Sequence, residues 1–186
     1  MINGVNLLIN GPHYLINGVN QFINGVNQLI NGPHYLINGV NQLIAGIDPG
    51  MKGAIGLLYD DGTAYVYDMP VFAKEVNAAA LADLFREFTP DHVYIEAVNS
   101  FGMGRQSAFN FGQGVGVIKA VLATLGIPYS LVSPSKWKTT FNLSKDKNDS
   151  RAAATRLFPS LASQFVRKKD DGRAEAILIA QWGATK

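Results

Sequence analysis

A short apolar run, Leu43 to Ile47, ends in Asp48-Pro49-Gly50 and defines the first element of the fold. An apolar run of this length that stops at turn residues is typical of a strand buried on both faces. A carboxylate at the end of such a strand has a large desolvation cost unless a cation neutralises it. Glu96 ends Val-Tyr-Ile-Glu in the same way, and Asp171 and Glu175 open the last apolar helical pattern. Acids in these positions predict a metal site.

The pattern of strands and helices after Leu43 predicts an α/β fold. Two more strand candidates, Ala54 to Tyr59 and Thr63 to Tyr67, follow the first across turn-rich pairs, which is typical of an antiparallel meander. A helix is predicted over Val76 to Phe88, and the fourth and fifth strands over His92 to Glu96 and Tyr129 to Val132. Helices follow to the end of the chain. This order predicts a mixed five-stranded sheet flanked by helices, with its first three strands antiparallel.

The predicted sheet brings the acids together. Its first and fourth strands can lie side by side, so the strand ends that carry Asp48 and Glu96 would be close together. Asp171 and Glu175 are spaced i, i+4 and share one face of a helix. Like charges this close repel, and two Mg²⁺ ions would neutralise them because hard cations take oxygen ligands. Two ions roughly 3.5 to 4 Å apart support phosphodiester hydrolysis, one activating water and the other stabilising the leaving 3′ oxygen.

Residues 1–42 form a separate, low-complexity segment. From Ile2 to Leu43 the chain consists of six heptapeptides that each begin Ile-Asn-Gly. Asn-Gly in every heptad, Pro12 and Pro33 disfavour a helix. Five-residue strands joined by Asn-Gly turns would make a meander, but their register is weakly specified. We expect a disordered segment or a loose β-meander without chemistry, followed by a nuclease domain over residues 43–186.

Composition limits the class of protein. All charged residues follow Ile44, and the net charge of +2 permits nucleic acid as a partner without requiring it. The absence of cysteine excludes disulfides and thiolate metal sites and fits a reducing compartment. No segment resembles a signal peptide or a membrane span. We therefore expect a cytoplasmic protein that does not enter a membrane.

Five motifs occur in a recognisable order. They are Ile-Asp-Pro-Gly, Tyr-Ile-Glu, Phe-Gly-Gln-Gly-Val-Gly at the start of a helix, Ser-Pro-Ser-Lys-Trp-Lys, and Asp-Gly-Arg-Ala-Glu-Ala before an apolar helix. Between Leu43 and Gly183 the chain resembles a RuvC-type Holliday-junction resolvase, particularly the phage-encoded branch. The resemblance implies an RNase H-like fold, a homodimer, Mg²⁺ or Mn²⁺, and paired symmetrical nicks in four-way DNA junctions. It also implies a bacterial or phage-infected host cell.

The resemblance assigns the metal ligands residue by residue. Asp48 and Glu96 match the first two ligands of the family, and Glu175 matches the last helical acid, which is more often Asp. Many members carry the remaining acid at i, i+3 spacing, which here falls on Gly172. The function must then move to Asp171 or Asp170. The shared face of an i, i+4 pair favours Asp171, although either residue can also cap a helix.

Basic and aromatic residues near these acids are the predicted catalytic and DNA contacts. Lys138 and Lys147 match family lysines that support cleavage, and cations beside a metal cluster can hold the scissile phosphate. The glycine-rich stretch from Ser100 to Gly116 is predicted to lead into a helix through Leu125, and its segment Phe101 to Phe111 to form a mobile loop whose aromatic tips stack on bases at the branch point. In the family an aromatic at the start of this helix has that role, which either Phe109 or Phe111 would match. The predicted DNA-contact residues are Arg105, Phe109, Phe111, Lys136, Lys138, Lys145, Lys147 and Arg151, and Arg167, Lys168 and Lys169 form a further basic run.

Other functions share parts of this pattern. Asp-Pro-Gly after a strand also opens actin-like ATPases, but those need a second domain and phosphate loops for which the chain is too short. A branched-DNA-binding scaffold that has lost cleavage, or a flap or fork nuclease of the same fold, remains open. The altered ligand spacing and the fused repeat are compatible with the scaffold.

Overall fold

A five-stranded mixed sheet forms the centre of the domain. The computed structural model describes residues 42–97, 102–144 and 146–186. The chain divides between residues 40 and 41 into two units, and the sheet belongs to the second. The predictions for the heptapeptide repeat lie outside the described residues. The strands are β1 (Leu43–Asp48), β2 (Ala54–Tyr59), β3 (Ala64–Asp68), β4 (Val71–Phe72), β5 (Glu75–Val76), β6 (His92–Glu96) and β7 (Tyr129–Val132).

Five α-helices and two short 3₁₀ helices accompany the strands in the described part of the chain. The α-helices are α1 (Ala78–Phe88), α2 (Arg105–Thr124), α3 (Pro134–Thr140), α4 (Lys147–Leu157) and α5 (Asp171–Gly183). The 3₁₀ helices, Pro159–Phe165 and Lys168–Asp170, lie between α4 and α5.

The sheet topology confirms the predicted fold class. Its strand order is β3-β2-β1-β6-β7. The β1, β2 and β3 strands pair antiparallel, whereas β6 pairs parallel with β1, and β7 pairs parallel with β6. The fourth predicted strand thus lies beside the first, as expected.

Helices cover both faces of the sheet. On one face α1 and α2 bury Leu81, Phe85 and Ile118 against alternate residues of β1 and β2. On the other face α3, α4 and α5 form a second apolar cluster that includes Trp137 and Ile177. Because β1 and β2 are covered on both sides, nearly every residue in them is buried.

Two glycines allow α5 to lie unusually close to the sheet. A Cβ atom on Gly46 would stand 2.3 Å from the backbone oxygen of Ala176, and one on Gly56 would stand 2.6 Å from Cα of Ile177. Since real Cβ atoms do not approach this closely, any larger residue would push the helix away. These contacts hold the middle of α5 against β1 and β2.

Two local predictions were wrong. Residues from Arg105 onward, predicted to continue a glycine-rich loop, already belong to α2, so Phe109 and Phe111 project from a helix. The prediction also missed the β4–β5 hairpin, whose two-residue strands show no periodicity. Among the described helices, none combines the length and apolar character needed to span a membrane.

Candidate active site

Asp48 and Glu96 lie next to each other at one edge of the sheet. The parallel register pairs Ile47 with Ile95, so the acid that follows each of them stands at the carboxyl end of its strand. Glu96 is buried and Asp48 is partly buried. The sheet therefore places these two predicted ligands side by side.

The first turns of α5 bring Asp171 and Glu175 to the same edge. Glu175 is buried, with 5% of its surface exposed. Gly172 lies so near β1 that a Cβ atom there would stand 3.1 Å from Oδ2 of Asp48 and 2.8 Å from the backbone oxygen of Lys52. A side chain at this position would push against the backbone of Lys52 and Gly53 and shift the start of α5.

The four acids are within electrostatic reach of one another. Burial raises the pKa of Asp48 to about 7, and the charges of Glu175, Glu96 and Asp171 contribute to the increase. Burial also raises the pKa of Glu96, with a further contribution from Glu175. A carboxyl group with a pKa this high would be stabilised in its charged form by a nearby cation.

Two lysines point into the acid cluster. Nζ of Lys138 donates to Oε1 of Glu175 at 2.8 Å, and Oγ of Ser150 donates to the same oxygen at 3.3 Å. Nζ of Lys147 donates to Oδ2 of Asp171, and this hydrogen bond raises the pKa of the lysine. The two lysines predicted to support cleavage thus contact two of the predicted metal ligands.

Trp137 holds Glu96 in place. The indole is fully buried between α3 and the sheet, and its Nε1 donates to Oε1 of Glu96 at 2.9 Å. This hydrogen bond acts against the effect of burial on the pKa of Glu96. The sequence motifs do not indicate the bond. One general rule could have suggested it, because a buried indole N–H requires an acceptor.

Asp170 has a different partner from Asp171. Its carboxylate is 3% exposed and accepts hydrogen bonds from the backbone N–H of Arg167 at 2.8 Å and from Nη2 of the same residue at 2.8 Å. These bonds lower the pKa of Asp170. Asp170 therefore acts as a cap for the 3₁₀ turn, while Asp171 faces Asp48. Of the two, Asp171 stays the predicted ligand.

Solved structures with the same arrangement of strands and helices exist. A structure of Thermus thermophilus RuvC in complex with a Holliday junction substrate covers 77% of this chain and 92% of its own, with a TM-score of 0.56 and 19% identity. A second structure of Thermus thermophilus RuvC covers 77% and 93%, with a TM-score of 0.54 and 20% identity.

The domain has the RuvC fold. The resemblance to RuvC-type resolvases that the five motifs indicate is confirmed, while the phage-encoded branch stays a prediction. No protein-family model matches the chain.

One curated relative matches part of the chain. The chloroplastic Holliday junction resolvase MOC1 of Chlamydomonas reinhardtii is 34% identical over 83 residues, which is 44% of this chain. The aligned segment spans 9% of that relative's length, a small part of a much longer protein.

The acids of this RuvC-like domain suit a hard metal ion in their donor chemistry. Every donor is a carboxylate oxygen, the ligand that Mg²⁺ and Mn²⁺ prefer. Within the described ranges, however, no three acidic or histidine side chains already stand together as a ready-made metal site. Lys138 and Lys147 hydrogen-bond two of the four carboxylates. A bound metal ion would have to displace the lysines from those oxygens.

The remaining predicted DNA contacts differ in their surroundings. Arg105, Lys136 and Phe109 are exposed, and Phe111 is partly buried. Arg151 donates through Nη1 to the backbone oxygen of Val166 at 2.9 Å, so it ties α4 to the end of the first 3₁₀ helix. Lys145 lies outside the described residues. The role of each in DNA binding stays a prediction.

Proposed function

We propose that this domain is a metal-dependent endonuclease that resolves four-way DNA junctions by hydrolysing phosphodiester bonds. One observation carries the proposal. The carboxylates of Asp48, Glu96, Asp171 and Glu175 lie within electrostatic reach of one another, with two lysines bonded to two of them, at the carboxyl edge of a RuvC-type sheet. In a fold shared by many proteins, a function is inferred from such a site and not from the fold.

The acids are proposed to hold two Mg²⁺ ions, for which Mn²⁺ can substitute. Such ions supply a water nucleophile at neutral pH and stabilise the charge on the leaving 3′ oxygen. The chain contributes the positions of the ligands. Two strand ends fix Asp48 and Glu96, the close packing of α5 fixes Asp171 and Glu175, and Trp137 orients Glu96.

The lysines are proposed to bind the scissile phosphate. Lys147 is the more accessible, with 65% of its side chain exposed, compared with 23% for Lys138. A phosphate over Asp171 would lie within reach of the Lys147 ammonium group. A cation there offsets the negative charge that develops on the phosphate oxygens in the transition state.

Paired cutting of a junction requires two active sites. We propose a homodimer in which each chain cuts one of two equivalent strands, and a cytoplasmic location in a bacterial or phage-infected host cell. The absence of a spanning helix among the described residues is compatible with this location.

The main rival is a branched-DNA-binding scaffold without cleavage. It is favoured by the lysine pairing of Asp171 and Glu175, which leaves the acids partly neutralised without metal. A flap or fork nuclease would use the same acids on a different DNA shape.

Labelled four-way, flap, fork and linear DNA, incubated with the protein and Mg²⁺ or Mn²⁺, would test these functions. We expect symmetrical nicks in the four-way junction and none after Asp48→Asn. Asp83→Asn is the matched control, since it removes an exposed carboxylate of α1 that pairs only with Arg86 among the described residues. Binding without cutting by the folded wild type would establish the scaffold, and preferential cutting of flaps or forks would replace the junction as substrate.

A further inference from the structure

A cleft beside the acid cluster carries positive charge that the proposed chemistry does not use. It has a volume of about 620 Å³ and lies between the β1–β2 turn, the end of β3 and the 3₁₀ turn before α5. Three lysines contribute to its lining, namely Lys52, Lys168 and Lys169. Asp171 also lines it, so the cleft adjoins one of the proposed metal ligands.

The other charges in and around the cleft are already paired. Arg167 binds Asp170. Arg173 donates through Nε and Nη2 to the two oxygens of Asp68, each at 2.6 Å. Asp171 binds Lys147. These internal pairs neutralise the acids that line the cleft and hold its walls in place.

The three lysines, by contrast, lack a carboxylate partner within the described parts of the chain. All three are exposed. Lys52 reaches the cleft from the β1–β2 turn, whereas Lys168 and Lys169 reach it from the 3₁₀ helix, so the charges come from two separate walls. Their unpaired charge, roughly three units in one groove, fits a row of phosphates.

A second basic group lies elsewhere along the acid cluster. Lys136, Lys138 and Lys147 come from α3 and α4 and include the two lysines that contact Asp171 and Glu175. The acids are therefore bordered by basic residues from two different parts of the fold. A DNA strand whose scissile phosphate lies at the acids is held more firmly when cations also contact the neighbouring phosphates.

We infer that the cleft formed by Lys52, Lys168 and Lys169 binds the sugar–phosphate backbone of the strand that carries the scissile phosphate. The inference rests on the proposed nuclease function and adds a binding track outside the catalytic residues. Lys52 is assigned to DNA binding by its position in the cleft alone. Arg167, although part of the same basic run, is assigned to the capping of Asp170.

Equilibrium binding to a four-way junction across a series of salt concentrations tests this track. The variants Lys52→Ala, Lys168→Ala and Lys169→Ala are combined in an Asp48→Asn background, so that the DNA stays intact whatever the enzyme can cut. The matched control combines Arg86→Ala, Arg156→Ala and Lys186→Ala in the same background. It removes the same amount of charge from exposed positions in the last turns of α1 and α4 and beyond the end of α5.

We expect the cleft variant to bind at least about tenfold more weakly than the control at moderate salt, with a slope of log affinity against log salt shallower by about 2 to 3. The same affinity and slope for the two triple variants would overturn the inference. Thermal melting of both confirms that they are folded.

The binding test is independent of cleavage. If the wild type cuts no junction but the cleft variant still binds DNA more weakly and with a shallower salt dependence, the nuclease proposal fails and the proposal that the cleft binds DNA stands. If the wild type cuts junctions and the two triple variants bind alike, the nuclease stands and the track fails. A neutral methylphosphonate next to the cut site should weaken binding by the control variant more than by the cleft variant.

Discussion

The negative charge of Asp48 lowers the stability of the folded protein when no metal is bound. Burial and the neighbouring carboxylates raise its pKa from 3.8 to about 7. Below pH 3.8 the group is protonated in both the folded and the unfolded chain and has no effect on stability. Between that pH and 7 the folded state holds a proton that the unfolded chain has released, so stability falls as pH rises.

Asp48→Asn is therefore expected to stabilise the metal-free protein at pH 8. In EDTA the free energy of unfolding should rise by about 2 to 4 kcal/mol at pH 8, with little change near pH 4. Chemical denaturation at the two pH values measures this. Mg²⁺ should raise the melting temperature of the wild type at pH 8 and not that of the variant.

Asp83→Asn serves as the control here as well, because Asp83 is an exposed acid on α1. It should change neither the pH dependence nor the response to Mg²⁺. A wild type whose stability rises between pH 5 and 8 in EDTA would contradict the electrostatic account of the site.

Trp137→Phe removes the indole N–H from Glu96 and keeps an aromatic ring in the core. Without this donor the carboxylate loses its orientation and its pKa rises further. Residues that orient a metal ligand typically affect metal affinity or activity by about 10- to 100-fold. We expect the Mg²⁺ concentration for half-maximal cleavage to rise by about tenfold or more, with much of the rate recovered at saturating Mg²⁺.

Trp182→Phe is the matched control, since Trp182 packs against Tyr94 and Lys186 at the far end of α5. It should leave the Mg²⁺ dependence unchanged. An equal fall in rate at all Mg²⁺ concentrations after Trp137→Phe would show that the indole is structural and does not orient Glu96.

Elements with clear boundary residues were predictable from the sequence, and contacts between elements were not. Turn residues bounded β2, β6 and β7, and their predicted bounds agree with the structure. The start of α2 was missed because Gly112 and Gly116 suggested a loop. A helix tolerates such glycines when its other residues pack on a sheet. The Trp137 bond depends on how α3 meets β6, which periodicity does not encode.

The packing of α5 against β1 leads to a prediction about Gly172. Gly172→Ala would place a Cβ atom close to the backbone of Lys52 and Gly53 and to the Asp48 carboxylate. Since backbone cannot move aside cheaply, the start of α5 must shift, and Asp171 with it. We expect a loss of about 1 to 3 kcal/mol in the free energy of unfolding and a fall in cleavage rate that saturating Mg²⁺ does not restore.

Gly116→Ala gives the comparison for a helical glycine without such contacts. No atom lies within 4 Å of a Cβ added there, so the change should stabilise α2 by about 0.5 to 1 kcal/mol. Urea denaturation of both variants measures the difference. If Gly172→Ala is as stable and active as the wild type, α5 is not held by this contact.

The whole domain draws its stability from two apolar clusters, one on each face of the sheet. Among the residues that the structure describes, the members of both clusters lie between Leu43 and Trp182. The start of β1 is held by the segment before β6, because the backbone N–H of Leu43 donates to Oδ2 of Asp91 at 2.8 Å. The sequence alone predicts the boundary between the repeat and the domain, because charged residues begin only after the repeat ends.

A chain that begins at residue 41 is therefore expected to fold and to cut as the full chain does. It keeps both apolar clusters, the bond from Leu43 to Asp91, and the hydrogen bond that Asp60 donates to Gln42. Its melting temperature should stay within about 2 °C of the full chain's, and its junction cleavage rate within about twofold. Calorimetry and a single-turnover assay on the two chains measure this, with Asp48→Asn versions of each to exclude contaminating nuclease. A truncated chain that folds but cuts far more slowly would assign residues 1–40 a part in substrate binding or dimer formation, and one that fails to fold would show that the repeat belongs to the domain.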